Sequence, residues 1–279
     1  MSGLARYNRP TVLIGGGLVA LWVLVAIFAP LLAPFDPLKS LSVLAPPGAS
    51  APQGGVMWLG ADLLGRDILS RLIYGARPVV ALSTAATLTA YVVGVSAGLA
   101  AGYFGGWIDA GLSFLANVIL SFPVLVLYIV VIVSLGASPI NVIIAVTFAS
   151  APAVFRIVRT LTADLKQRDF VAAAVIQGES TWRILLLDIL PNTTGPLTVD
   201  FCLRLGYTTI IIGALGFLGL GLPPPSPDWG GMVNEGRALA FAFPHLVIFP
   251  CLAISSLVLG LSLLADGLNE ARGAEGRAK

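Results

Sequence analysis

The sequence predicts an all-α integral membrane protein with six transmembrane helices. Three observations carry that expectation. Of the 279 residues, 57% are hydrophobic and 11% charged, where soluble domains carry about 25% charged residues. Residues 10–35, 78–108, 110–155, 205–227 and 238–265 contain no Asp, Glu, Lys or Arg, and roughly 20 apolar residues are enough for a helix to cross the hydrocarbon layer. The 110–155 run is long enough for two crossings, with Gly136-Ala-Ser-Pro139 as the turn between them. Helices are therefore expected near 11–33, 79–102, 111–135, 139–158, 196–220 and 244–266. A net charge of +2 is too small to point to nucleic acid or an acidic substrate.

The first span follows Arg6 and Arg9, as a secretory signal would. Its apolar core far exceeds the roughly 7–15 residues of a signal h-region, so an uncleaved anchor is expected. Residues 34–77 form the longest non-spanning segment on the outer side. They pass through the loop-like Pro46-Pro-Gly-Ala-Ser-Ala-Pro-Gln-Gly-Gly55 and end on Ile68, Leu69, Leu72 and Ile73 at helical spacing. Two readings of that end stay open: an amphipathic helix on the membrane surface, or a plain connector.

In the second span Gly94, Gly98, Gly102 and Gly106 recur at steps of four. Such a face lets another helix approach closely, and packing is favoured over a substrate groove. Span five ends in Ala214-Leu-Gly-Phe-Leu-Gly-Leu-Gly221, then Leu222-Pro-Pro-Pro-Ser-Pro-Asp-Trp-Gly-Gly231. Proline cannot continue a helix without losing a backbone bond, so the span should stop near Leu222. Trp229 is of a type favoured at the membrane–water boundary, which suggests a shaped outer mouth or a simple interfacial anchor.

With six spans both termini share a side. Arg6, Arg9, Arg156, Arg159, Lys166, Arg168, Arg183, Arg272, Arg277 and Lys279 fall there, ten of the 16 basic residues. Lys39, Arg66, Arg71, Arg77 and Arg237 fall on the other. The excess of positive charge puts both termini in the cytoplasm, although the 66–77 cluster weakens the asymmetry.

No catalytic or metal site is expected. None of the three lysines, Lys39, Lys166 and Lys279, follows a nucleotide-binding glycine loop. Gly15-Gly-Gly-Leu-Val-Ala20 fits the dinucleotide fingerprint formally, but it sits inside the first span with no strand before it. His245 is the single histidine, and Cys202 and Cys251 have no metal-like spacing. Charges within spans are costly. Asp200 and Arg204 lie four apart near the cytoplasmic start of span five; they either neutralise each other or place Arg204 on a translocation path. Asp266 reads as an end-of-helix residue.

The loop at 160–192 holds the remaining signal. Ala172, Ala173 and Ala174 offer a side without bulk, Gly178 permits a sharp turn, and Ser180 suits the N-cap of the next helix. Trp182, Ile184, Leu185, Leu186 and Ile189, beside Arg183 and Asp188, supply an apolar contact surface, and Pro191 is expected to halt the helix. A protein partner or lipid heads could cover such a surface; alternating small and bulky faces favour the protein.

Six landmarks in order carry a family resemblance: Leu59-Gly-Ala-Asp-Leu-Leu-Gly-Arg-Asp-Ile-Leu-Ser-Arg71, Gly102-Tyr-Phe-Gly-Gly-Trp-Ile-Asp109, Ser121-Phe-Pro123, Gly216-Phe-Leu-Gly-Leu-Gly221, Pro224-Pro-Ser-Pro-Asp-Trp-Gly230 and Asp266-Gly-Leu268. On these the chain resembles the second permease of the dipeptide, oligopeptide and nickel group of binding-protein-dependent ABC importers. The resemblance implies a type I ABC importer permease fold in the bacterial inner membrane, with an N-terminal segment 1–77, a permease domain 78–267 and a cytoplasmic tail 268–279. It also implies a heterodimer with a second permease, two ATPase subunits that use ATP, and an extracytoplasmic solute-binding protein. No cofactor would bind this chain directly, and 170–192 would enter a cleft on one ATPase. The family pattern often has Glu at the position of Ala172 and His at that of Asp188. The competing class, an ion-coupled secondary transporter or channel, would need acidic or histidine relays in mid-membrane. A structural scaffold would leave the 160–192 loop unexplained.

Overall fold

The computed structural model describes residues 10–276. Arg6, Arg9, Arg277 and Lys279, which count toward the expected orientation, lie outside the described residues. Among the described residues ten α-helices follow in chain order, with one two-residue antiparallel strand pair, β1 (Ala49–Ser50) and β2 (Val56–Met57), between the first two. They are α1 (Pro10–Leu32), α2 (Ile68–Phe104), α3 (Gly106–Leu120), α4 (Val124–Leu135), α5 (Pro139–Lys166), α6 (Asp169–Ile176), the single turn α7 (Thr181–Arg183), α8 (Leu190–Phe217), α9 (Trp229–Gly236) and α10 (His245–Gly276). Five stretches are long and apolar enough to cross a membrane, or six if the bent pair of α3 and α4 counts as one span.

The expected span at 111–135 is not one straight helix. α3 and α4 meet at 88°, around Ser121-Phe122-Pro123. Pro123 has no N–H to continue the ladder, and its ring drives the preceding residue out of the helical region. By contrast, α5 starts where capping chemistry puts it. Ser138 accepts from the Asn141 N–H at 3.2 Å, and Pro139 occupies the first turn, where no N–H is needed.

The amphipathic stretch at 68–73 is neither a surface helix nor a connector; it forms the first turns of α2. Asp67 caps them, its Oδ2 accepting from the Ser70 N–H at 2.8 Å and from the Ser70 hydroxyl at 2.7 Å. Ile68 and Leu72 are buried with Trp229 and Met232 of α9 and Leu246 of α10. Their apolar face is covered by protein from the distant C-terminal half, which a local reading of the sequence cannot see.

Trp229 likewise is no interfacial anchor. Its side chain is 0% exposed, its Nε1 donates to the Leu72 carbonyl at 2.9 Å, and Trp22 of α1 meets it edge-on at 4.6 Å. Gly75 makes the room, since a Cβ there would stand 2.8 Å from the indole. Gly15 of α1 and Gly260 of α10 also have a packing use. A Cβ on Gly15 would lie 2.5 Å from the Leu264 backbone nitrogen, and one on Gly260 2.8 Å from Leu18 Cβ, so α1 and α10 run in close contact. α10 continues ten residues beyond Asp266, which is exposed along the helix rather than at its end.

The same principle joins α2 to α5. Cβ atoms on Gly94, Gly98 and Gly102 would stand 2.6 Å from Val154 Cβ, Val158 Cβ and the Arg159 carbonyl respectively. The fourth glycine of the series departs: Gly106 opens α3 with φ +55° and faces open space. α2 has ended by then, because Gly105 takes a conformation outside the helix.

The two ends of the bundle differ. Lys166, closing α5, donates its Nζ to the Tyr103 carbonyl at 2.6 Å, so the last turns of α2 and α5 share the end that carries the 160–192 loop. The opposite end, called the cap end below, carries residues 34–67 and α9. There Arg66 pairs with Asp62 at 2.7 Å and with Glu235 at 2.7 Å, and Arg71 also bonds both carboxylates.

Candidate functional site

The loop end is built as a helix, a glycine turn and a long helix. α6 packs through Val171 and Ala174, which are buried, while Ala172 and Ala173 face outward. Gly178 has φ +77°, a left-handed conformation that L side chains resist, and a Cβ there would meet nothing within 4 Å. The turn is thus set by backbone conformation rather than by crowding. Ser180 occupies the N-cap of α7 with extended backbone, but its hydroxyl makes no capping bond; the Ile184 N–H bonds the Ser180 carbonyl instead, at 3.1 Å.

The expected contact surface divides into two. Ile184, Leu185 and Ile189 are core residues, packed with Leu99, Val154, Val158 and Leu197. Trp182 is 72% exposed and Ile176 86%, with Val175, Leu186 and Leu187 also exposed. The outward face therefore comes from α6 and α7 jointly, around Gly178. Arg183 makes a loose pair with Glu179 at 3.4 Å, and Asp188 is partly buried.

Pro191 does not halt the helix. From Thr181 the chain stays helical to Phe217, passing through a π-helical stretch at Ile184–Ile189. There the Leu190 N–H reaches back to the Leu185 carbonyl, five residues away. The wider π register lets the chain absorb a residue without an N–H at the start of α8. The Asn192 side chain takes the Asp188 carbonyl at 2.6 Å.

Arg204 lies near the middle of α8, which begins at Leu190. Its Nε donates to Asp200 Oδ2 at 2.6 Å. Tyr91 of α2 donates its hydroxyl to the same oxygen and reaches the Leu197 carbonyl at 3.3 Å. Arg204 also lines a cavity of about 320 Å³ between α4, α5 and α8. Tyr91 had no signature in the sequence, being one aromatic residue in an apolar run. Asp109, by contrast, closes the Gly102–Asp109 landmark, and it pairs with Arg159 to tie α3 to α5.

Residues 94–271 match the family described as binding-protein-dependent transport system inner membrane component. A glutathione transport system permease protein of Pectobacterium atrosepticum is 38% identical over 267 residues, 95% of this chain and 88% of that protein. A dipeptide transport system permease protein of Alkalihalophilus pseudofirmus is 36% identical over 259 residues, 93% and 84% of the two chains. An Escherichia coli glutathione transport system permease protein is 40% identical over 253 residues, 91% and 82%. Such permeases work with an ATPase, a binding protein and a partner permease. The chain belongs to the binding-protein-dependent inner-membrane components: it is a multi-pass permease subunit of an ATP-driven ABC importer and has no catalytic activity of its own.

Proposed function

We propose that this subunit pairs with a second, different permease to form the path for dipeptides, oligopeptides or related small solutes such as glutathione. Relatives bearing those names, similar along nearly the whole chain, support that solute class. Two ATPase subunits hydrolyse ATP, an extracytoplasmic protein delivers the solute, and no cofactor binds this chain. Six crossings, with α3 and α4 as one bent span, put both termini and the 160–192 loop in the cytoplasm. The charge pattern fits this orientation, since the cap-end residues Arg66 and Arg71, which count against it, are neutralised by Asp62 and Glu235.

The loop end then works as a lever. ATP binding draws the two ATPases together, and a cleft on one of them carries α6 and α7 along. The rigid run from Thr181 to Phe217 transmits that motion to α8, and the path opens toward the binding protein. Hydrolysis resets the inward-facing state. Ala172 and Ala173 let the ATPase surface come close, and Trp182 fills its cleft. The observation that carries this reading is an apolar face, exposed on both sides of a glycine turn, that none of the described residues covers.

Gly178→Val tests the lever. A β-branched residue is strained at φ +77°, and the left-handed conformation costs roughly 1–2 kcal/mol for an L residue. The turn should shift while the buried side of the loop holds. Uptake into cells should be abolished, with the amount of subunit in the membrane fraction unchanged. Normal uptake by this variant would rule the lever out.

A further inference from the structure

Arg204 stands fourteen residues after Leu190 and thirteen before Phe217, at the middle of α8. An ionised side chain within a membrane span is expensive unless it is paired or faces water or a solute. The pairing is partial. Asp200 Oδ2 accepts from Arg204 Nε and from the Tyr91 hydroxyl, so the carboxylate shares its charge between two donors and fixes the guanidinium in one direction. One-fifth of the Arg204 side chain remains accessible, and Arg204 forms part of the wall of the 320 Å³ cavity.

That cavity has the makeup of a small-ligand site, whose volumes begin near 300 Å³. Its walls are apolar for the most part, with hydroxyls from Tyr128, Ser150, Tyr207 and Thr208. Tyr128 and Ser150 bond each other at 3.1 Å across α4 and α5. Among the lining residues Arg204 is the one charged side chain. An arginine fork in an apolar, low-dielectric wall selects planar anions, carboxylates above all.

We propose that this cavity is a carboxylate subsite on the translocation path. Arg204 holds the carboxylate of a passing peptide, Asp200 and Tyr91 position the guanidinium, and the hydroxyls of Tyr207 and Tyr128 bond the polar remainder. The proposal rests on the peptide reading above for the identity of the solute, but the subsite itself is tested separately from transport.

The assembled complex, with partner permease, ATPases and binding protein in proteoliposomes, is assayed with radiolabelled alanylalanine and glutathione at saturating binding protein. Arg204→Gln should lower uptake about tenfold or more, the loss expected for one charge-assisted contact, and Arg204→Lys should retain part of it. The deciding variant is the double substitution Asp200→Asn with Arg204→Gln. It restores a neutral pair, so recovered uptake would show that the two residues merely cancel each other and would overturn the subsite; uptake that stays low supports it. Unchanged uptake in Arg204→Gln also overturns it. If the unaltered complex carries neither probe, the peptide reading fails, and the subsite is judged by saturation-transfer NMR of alanylalanine with the complex in nanodiscs. Contact that disappears in the double variant supports the subsite, whereas equal contact, or none in the unaltered complex, overturns it.

Discussion

The cap end and the loop end treat the same residue types in opposite ways. At the cap end Trp229 is sealed between Trp22 and Gly75, and the charges of Arg66, Arg71, Asp62 and Glu235 answer one another. At the loop end Trp182 and Ile176 stand in the open beside a glycine with nothing around it. At the cap end this tryptophan and these charges are met by their own chain, although Trp58 stays exposed nearby; at the loop end the tryptophan is left for a partner. Substitutions at the two ends should therefore separate stability from coupling.

The largest effect is expected at the cap end. Arg71 is buried and bonds both Asp62 and Glu235, joining α2 to the 34–67 segment and to α9. Removing one partner from a buried charge cluster leaves the others uncompensated, at a cost of roughly 3–5 kcal/mol. Arg71→Met should lower the thermal unfolding midpoint of the purified complex sharply and reduce the amount of subunit in the membrane. A variant as stable as the parent would mean that Arg66 alone satisfies both carboxylates.

Trp182→Ala is the converse. An exposed tryptophan contributes little to its own chain, but a central aromatic anchor in an interface contributes about 2 kcal/mol or more on truncation. The unfolding midpoint should stay within a degree or so of the parent, following the near-neutral effect of most surface changes. Affinity for the ATPase subunits, read by titration in nanodiscs, should fall about 30-fold. Loss of stability with affinity intact would invert the comparison between the two ends.

What the sequence disclosed follows from how local each constraint is. Charge-free runs mark the spans because lipid penalises every ionised residue in them, whatever packs alongside. Three of the four glycines at steps of four meet α5, since helical periodicity alone puts Gly94, Gly98 and Gly102 on one face. The misses needed partners from far along the chain. Ile68 and Leu72 read as a membrane-surface face or a plain connector until α9 and α10 cover them, and Trp229 reads as part of an outer mouth or an anchor until Gly75 and Trp22 enclose it. At Pro191 the helix runs on against the rule for proline, because a π stretch just before it widens the register. Within the loop, the exposed half of the apolar surface could not be told from the buried half, because both alternate with the same spacing.

The smallest effect belongs to a buried acid at the cap end. Asp228 caps α9, its Oδ2 accepting from the Gly231 N–H at 3.0 Å, in a space so tight that a Cβ on Gly216 would stand 2.2 Å from that oxygen. Burial pushes the Asp228 carboxyl above its ordinary range, outweighing the Gly231 and Gly230 amides and the charge of Arg71, which act the other way. A raised folded-state value means that the fold prefers the protonated form. Its contribution is complete below the unfolded value of about 4 and is lost as pH rises through the higher folded value. Thermal stability of the purified complex should therefore decline over that interval, and Asp228→Asn, neutral throughout, should flatten the slope. Burial raises Asp67 in the same direction, so some slope must remain in that variant. A slope of opposite sign that Asp228→Asn abolishes would show that the capping bonds outweigh burial, and that the cap end holds this acid as a carboxylate.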